Sequence, residues 1–102
     1  MTYNDYVLHL HQPFELQFTL SLTMWLQLET IHVVDAFTAE DNGSQGERPF
    51  VLSFLGPQQP VLFPQCYWLT HPLLGQVELL LVPVHRVQAG MRYQALVSVP
   101  ML

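Results

Sequence analysis

Lysine is missing from this sequence altogether, and the only strong bases are Arg48, Arg86 and Arg92. Affinity for a phosphate backbone comes largely from cations that displace condensed counterions. Three scattered arginines on a chain of net charge -5 therefore exclude nucleic acid as an expected partner, and an anionic membrane surface on the same ground. Charge of either sign is scarce: 11% of residues are Asp, Glu, Lys or Arg, about half the usual share, while 50% are apolar. So thin a charged coat leaves either a large core or an apolar surface patch, and such a patch marks contact with another protein or a ligand. A homo-oligomer is thus expected from composition.

A second cysteine is missing as well. Cys66 stands alone, which excludes an internal disulfide, a C-x-x-C pair and a cysteine-based zinc framework. Among Phe63, Tyr67 and Trp68 it reads as a small packing residue. Long apolar runs are also missing. The longest stretch free of charge, residues 49–77, is broken by Gly56, Pro57, Pro60, Pro64, Pro72 and Gly75, so it is no membrane helix. Residues 1–5 offer neither a basic region nor an apolar core for a signal peptide, and the expected location is the cytoplasm.

What is present is a single domain's worth of alternating strands. At 102 residues the chain is long enough for one core and too short for two. Residues 3–12 read as a short helical turn or irregular lead-in, ended by Pro13. From residue 14, Phe14, Leu16, Phe18, Leu20 and Leu22 alternate with Glu15, Gln17, Thr19 and Ser21, the pattern of a half-buried antiparallel strand. Further strands are expected over residues 24–34, 49–55, 65–71, 76–84 and 91–99, with a hairpin break at residues 21–23. Residues 36–47, rich in Gly and acids, read as an exposed loop. Residues 85–90 make the last turn. In residues 76–84 both faces are apolar: Val77, Leu79 and Leu81 alternate with Glu78, Leu80 and Val82. A strand covered on both sides is central in the core or lies at an interface. Six short strands with regular turns predict an all-β domain, a small antiparallel barrel or sandwich.

Reactive groups are few and scattered. His9-x-His11 would share a face if extended and could begin a metal site, but no third ligand is visible, and His32, His71 and His85 fall in separate elements. Ordinary surface or turn histidines are the expectation, with no metal and no cofactor. Cys66 and His71 are five residues apart on one strand, hence on opposite faces and about 16 Å distant, too far for a nucleophile and its base. Ser44 lacks the G-x-S-x-G setting. Asp35, Glu40, Asp41 and Glu47 do not fall at the spacing of a calcium loop, and no Gly-rich phosphate cradle occurs. No catalytic residue is assigned. The residues expected at an interaction surface are Trp25, Trp68, Leu80, Val82 and Tyr93; alternatively, Trp25, Trp68 and Tyr93 would stack on a small ligand at a barrel mouth.

The phrases Pro49-Phe-Val-Leu-Ser-Phe-Leu-Gly-Pro, Val61-Leu-Phe-Pro-Gln-Cys-Tyr-Trp-Leu-Thr-His-Pro-Leu-Leu-Gly, Val77-Glu-Leu-Leu-Leu-Val-Pro-Val and Gly90-Met-Arg-Tyr-Gln-Ala-Leu-Val carry a resemblance. Together they resemble a bacterial domain-of-unknown-function family of about this length. The resemblance implies a non-enzymatic accessory role beside phage-tail-collar-type proteins and assigns no catalytic residue. Gly56, Gly75 and Gly90 are expected at turns that tolerate positive φ, and the prolines at strand ends.

Overall fold

The computed structural model describes residues 2–34 and 49–98. Helix α1 (Tyr3–Val7) is followed by strands β1 (Pro13–Thr19), β2 (Leu22–Val33), β3 (Phe50–Gly56), β4 (Gln65–His71), β5 (Gly75–Val87) and β6 (Gly90–Val97). All pairings are antiparallel, and the bonded order β1-β2-β3-β6-β5-β4 returns to β1. The six strands therefore close into a barrel. Among the described residues no helix is long and apolar enough to cross a membrane.

Period-two alternation builds the interior. Phe50, Leu52 and Phe54 of β3, Val77, Leu79 and Leu81 of β5, and Met91, Tyr93 and Ala95 of β6 all point inward and are buried. A barrel of so few strands has room inside for side chains alone. They interlock with ring edges against ring faces, as Phe14 does with Phe54 at 5.5 Å between centroids. α1 is fastened by a reciprocal cap, Thr2 Oγ1 accepting from the Asp5 amide while the Asp5 carboxylate accepts from the Thr2 amide at 2.8 Å. The Thr2 amide, and then the Thr2 hydroxyl donating to the same carboxylate, hold the Asp5 carboxyl below its ordinary range. The helix buries Tyr6, whose ring packs 5.9 Å from Phe50, and burial pushes its phenol up to about 12.

Several expectations need correcting. Only Phe14 and Leu16 of the first apolar stripe reach the core; Phe18, Leu20 and Leu22 are exposed. A register shift between Gln17 and Thr19 breaks the alternation there, and the hairpin turns at Leu20 and Ser21, leaving the stripe's second half on the tip. β5 runs on to Val87, through part of the expected turn, and pairs with β6 across it. Of the three glycines, Gly75 and Gly90 have the expected positive φ, 76° and 158°, and Gly56 does not. Gly56 and Gly90 also answer a need for space. A Cβ on Gly56 would stand 2.5 Å from Leu26 Cδ2, and one on Gly90 would collide with the Gly56 carbonyl oxygen. The loop expected over residues 36–47, its acids Asp35, Glu40, Asp41 and Glu47, and Val99 lie outside the described residues.

Candidate functional site

With the interior filled by one face of each strand, the opposite faces form the outer wall. Trp25 of β2 is 55% exposed and Trp68 of β4 is 56% exposed. On β5, Leu80 and Val82 are 50% and 41% exposed. Cross-strand pairing sets Cys66 opposite Leu80 and Trp68 opposite Glu78, so Trp68, Cys66, Leu80 and Val82 form one apolar strip over β4 and β5. Cys66 is thus exposed rather than packed, because strand alternation turns it outward. Trp25 stands beyond β1, opposite Glu15.

Tyr93 is a correction: it is fully enclosed, and its hydroxyl accepts a hydrogen bond from the Leu62 amide at 2.9 Å. Alternation on β6 puts it inside, where it anchors the segment between β3 and β4. It therefore presents no interaction surface. Nor do the three aromatics converge on a mouth, since Trp25 and Trp68 are on the wall and Tyr93 is within it.

The wall has a seam. β1 and β4 pair only through Glu15 with Thr70 and Leu16 with Leu69. Above those two pairs the strands part, and a cleft of about 520 Å³ opens between them. Gln17 and Phe18 form one side, Gln65, Cys66 and Trp68 the other. Among the described residues β1 has no partner on this side beyond Leu16, so backbone groups on that edge are open to solvent or to another strand.

Below the seam lies a polar cluster whose protonation can be deduced. The amides of Leu73 and Leu74 both donate to His71 Nδ1, at 3.0 and 3.4 Å. That nitrogen therefore keeps its lone pair, and the proton of the neutral ring sits on Nε2. Nε2 donates to Gln12 Oε1 at 2.7 Å, which fixes the orientation of the Gln12 amide. The same oxygen then accepts from His9 Nδ1 at 2.9 Å. His9 and His71 stack with centroids 4.3 Å apart, and Phe14 covers His71 at 4.9 Å. Burial, reinforced by the neighbouring His9, holds His71 below its ordinary pKa.

Both nitrogens of His71 are thereby occupied, leaving it no lone pair for a substrate. The trio ties the turn before β1 to the turn after β4, bracing the barrel where the seam is closed. Sequence spacing pointed to His9 with His11, but His11 takes a left-handed conformation at φ 68° and faces solvent, while His9 turns in to His71. The partners lie in different halves of the chain, so no local pattern could have joined them. Cys66 and His71 do fall on opposite faces, one outward and one buried. Among the described residues no three His, Cys, Asp or Glu side chains gather closely enough to hold a metal ion.

A family described as a domain of unknown function, DUF6916, matches residues 1–97. The chain belongs to this family. No curated protein and no solved structure matches the DUF6916 chain.

Proposed function

We propose that this DUF6916 domain is a non-enzymatic interaction module that binds another protein across the outer wall of β4 and β5. The supporting observation is the apolar strip of Trp68, Cys66, Leu80 and Val82, outside a barrel whose core is already complete. One exposed leucine is ordinary on any surface, whereas a contiguous strip on adjacent strands serves no purpose within the monomer. Glu78 and Thr70 border the strip, giving it the polar rim of a protein contact. The family resemblance supports a finer version, in which a bacterial cytoplasmic accessory serves a phage-tail-like or surface assembly.

The test is purification of the native protein from its own cells, with wild type and a Leu80→Ser, Val82→Ser double variant side by side. A protein recovered stoichiometrically with wild type and reduced at least about tenfold with the variant, which keeps its melting temperature, is the expected result. Equal recovery by both, or no stoichiometric companion of wild type, overturns the reading.

A further inference from the structure

We infer that the partner protein is basic where it touches the outer wall, seating arginine or lysine side chains in a row of two tryptophans and two glutamates. This inference rests on the β4–β5 reading above and names the chemistry of the partner. Three observations carry it. The first is an alternation of aromatic and acid across neighbouring strands. Trp25 of β2 stands opposite Glu15 of β1, and Trp68 of β4 stands opposite Glu78 of β5. Glu15 and Trp68 line the same cleft, which joins the two pairs into one row. Glu15 is partly exposed and the other three are exposed, all on the outward faces of their strands.

The second observation is that the two carboxylates are unmatched. Among the described residues the one ion pair joins Arg92 to Glu29, on neither side of this row. An indole face attracts a cation through its quadrupole, and a carboxylate beside it attracts the same cation by charge. A guanidinium satisfies both at once, since it lies flat on the indole while its edge donates to the carboxylate. Aromatic and acid side chains in this arrangement therefore call for one and the same ligand chemistry.

The third observation concerns where such a cation can come from. The chain has no lysine, and both arginines among the described residues are engaged, Arg92 by Glu29 and Arg86 by the carbonyl and side-chain oxygens of Gln58. A net charge of -5 also sets two copies against each other. The occupant is accordingly a different protein, with the complementary charge.

Hexa-arginine is the probe, titrated into the full chain at about 0.15 M salt. Trp25 and Trp68 are the two tryptophans of the chain, so intrinsic fluorescence reads the row itself, and calorimetry gives the affinities. The expected result is a saturable change in emission, with affinity reduced at least about tenfold in Glu15→Gln, Glu78→Gln. Trp68→Leu, which leaves the net charge unchanged, reduces it at least about threefold. Removing two charges elsewhere, in Glu40→Gln, Asp41→Asn, leaves affinity within about twofold of wild type. Melting temperatures equal to wild type show that the variants fold. No saturable change in emission overturns the inference, as does an equal loss in the Glu40, Asp41 variant or an indifferent Trp68→Leu. Recovery of the native companion separates this inference from the wall contact on which it rests. A companion lost with Leu80→Ser, Val82→Ser but retained by Glu15→Gln, Glu78→Gln leaves the wall contact standing and overturns the basic partner.

Discussion

The amides of Leu73 and Leu74 set the proton on His71, His71 sets the orientation of Gln12, and Gln12 sets the proton on His9. Such a chain of single options makes the cluster sensitive to acid. Unfolded, His71 titrates near 6.5; folded, burial and then His9 lower that value, so below it protons bind the unfolded chain preferentially. The cluster's contribution is complete above pH 6.5 and is lost as pH falls through the lowered folded value. Urea midpoints should therefore decline between about pH 7.5 and about pH 5.5, and decline less in His71→Phe. A wild-type midpoint constant over that window contradicts the lowering of the folded His71 pKa by burial. Glycines supply a second contrast at this scale. Gly90→Ala drives a Cβ into the Gly56 carbonyl and should cost about 3 kcal/mol or more, whereas Gly75→Ala meets open space and should cost about 1 kcal/mol for its left-handed backbone. Denaturation of the two variants that ranks them the other way would refute the crowding argument.

Among the elements, the legible ones were those whose alternation runs unbroken. β3, β4 and β6 fell near their expected bounds because each places every second residue in one core. β1 was half legible: its composition kept a perfect rhythm through Leu22, but a register shift at Gln17 and Thr19 removed the later residues from the core. Rhythm records side-chain polarity and carries no trace of where pairing slips. β5 outran its expected end because Pro83 and His85 bracket a register shift that the strand absorbs without stopping. Between β3 and β4 the chain is held by the Leu62 amide on the Tyr93 hydroxyl, a buried bond from a segment with no ladder of its own. Tyr93→Phe leaves that amide without its acceptor and should lower stability by about 1–2 kcal/mol. Exchange of the Leu62 amide should accelerate in parallel. Unchanged stability and exchange would mean that the hydroxyl bond contributes nothing to this segment.

For the whole molecule, sequence left barrel and sandwich undecided for a reason the structure makes plain. Closure rests on Glu15 and Leu16 meeting Thr70 and Leu69, two pairs formed by segments about half the chain apart, and nothing local distinguishes a strand that finds such a partner from one that stays an edge. The wall candidates fared better. Trp25, Trp68, Leu80 and Val82 were readable as surface because two apolar faces on one strand cannot both enter a barrel interior, while Tyr93 was misread because its strand offers no comparable excess. Low charge left open whether the surplus of apolar residues lies in the core or on the wall, and was silent about position.

Cys66 lies on the wall of the cleft, exposed, and is the sole thiol of the chain. A nitroxide or fluorophore attached there by maleimide chemistry needs no engineered site, and it would report the cleft directly. Its rotational freedom would fall when a partner protein covers the β4–β5 wall, since Cys66 stands opposite Leu80 in that strip.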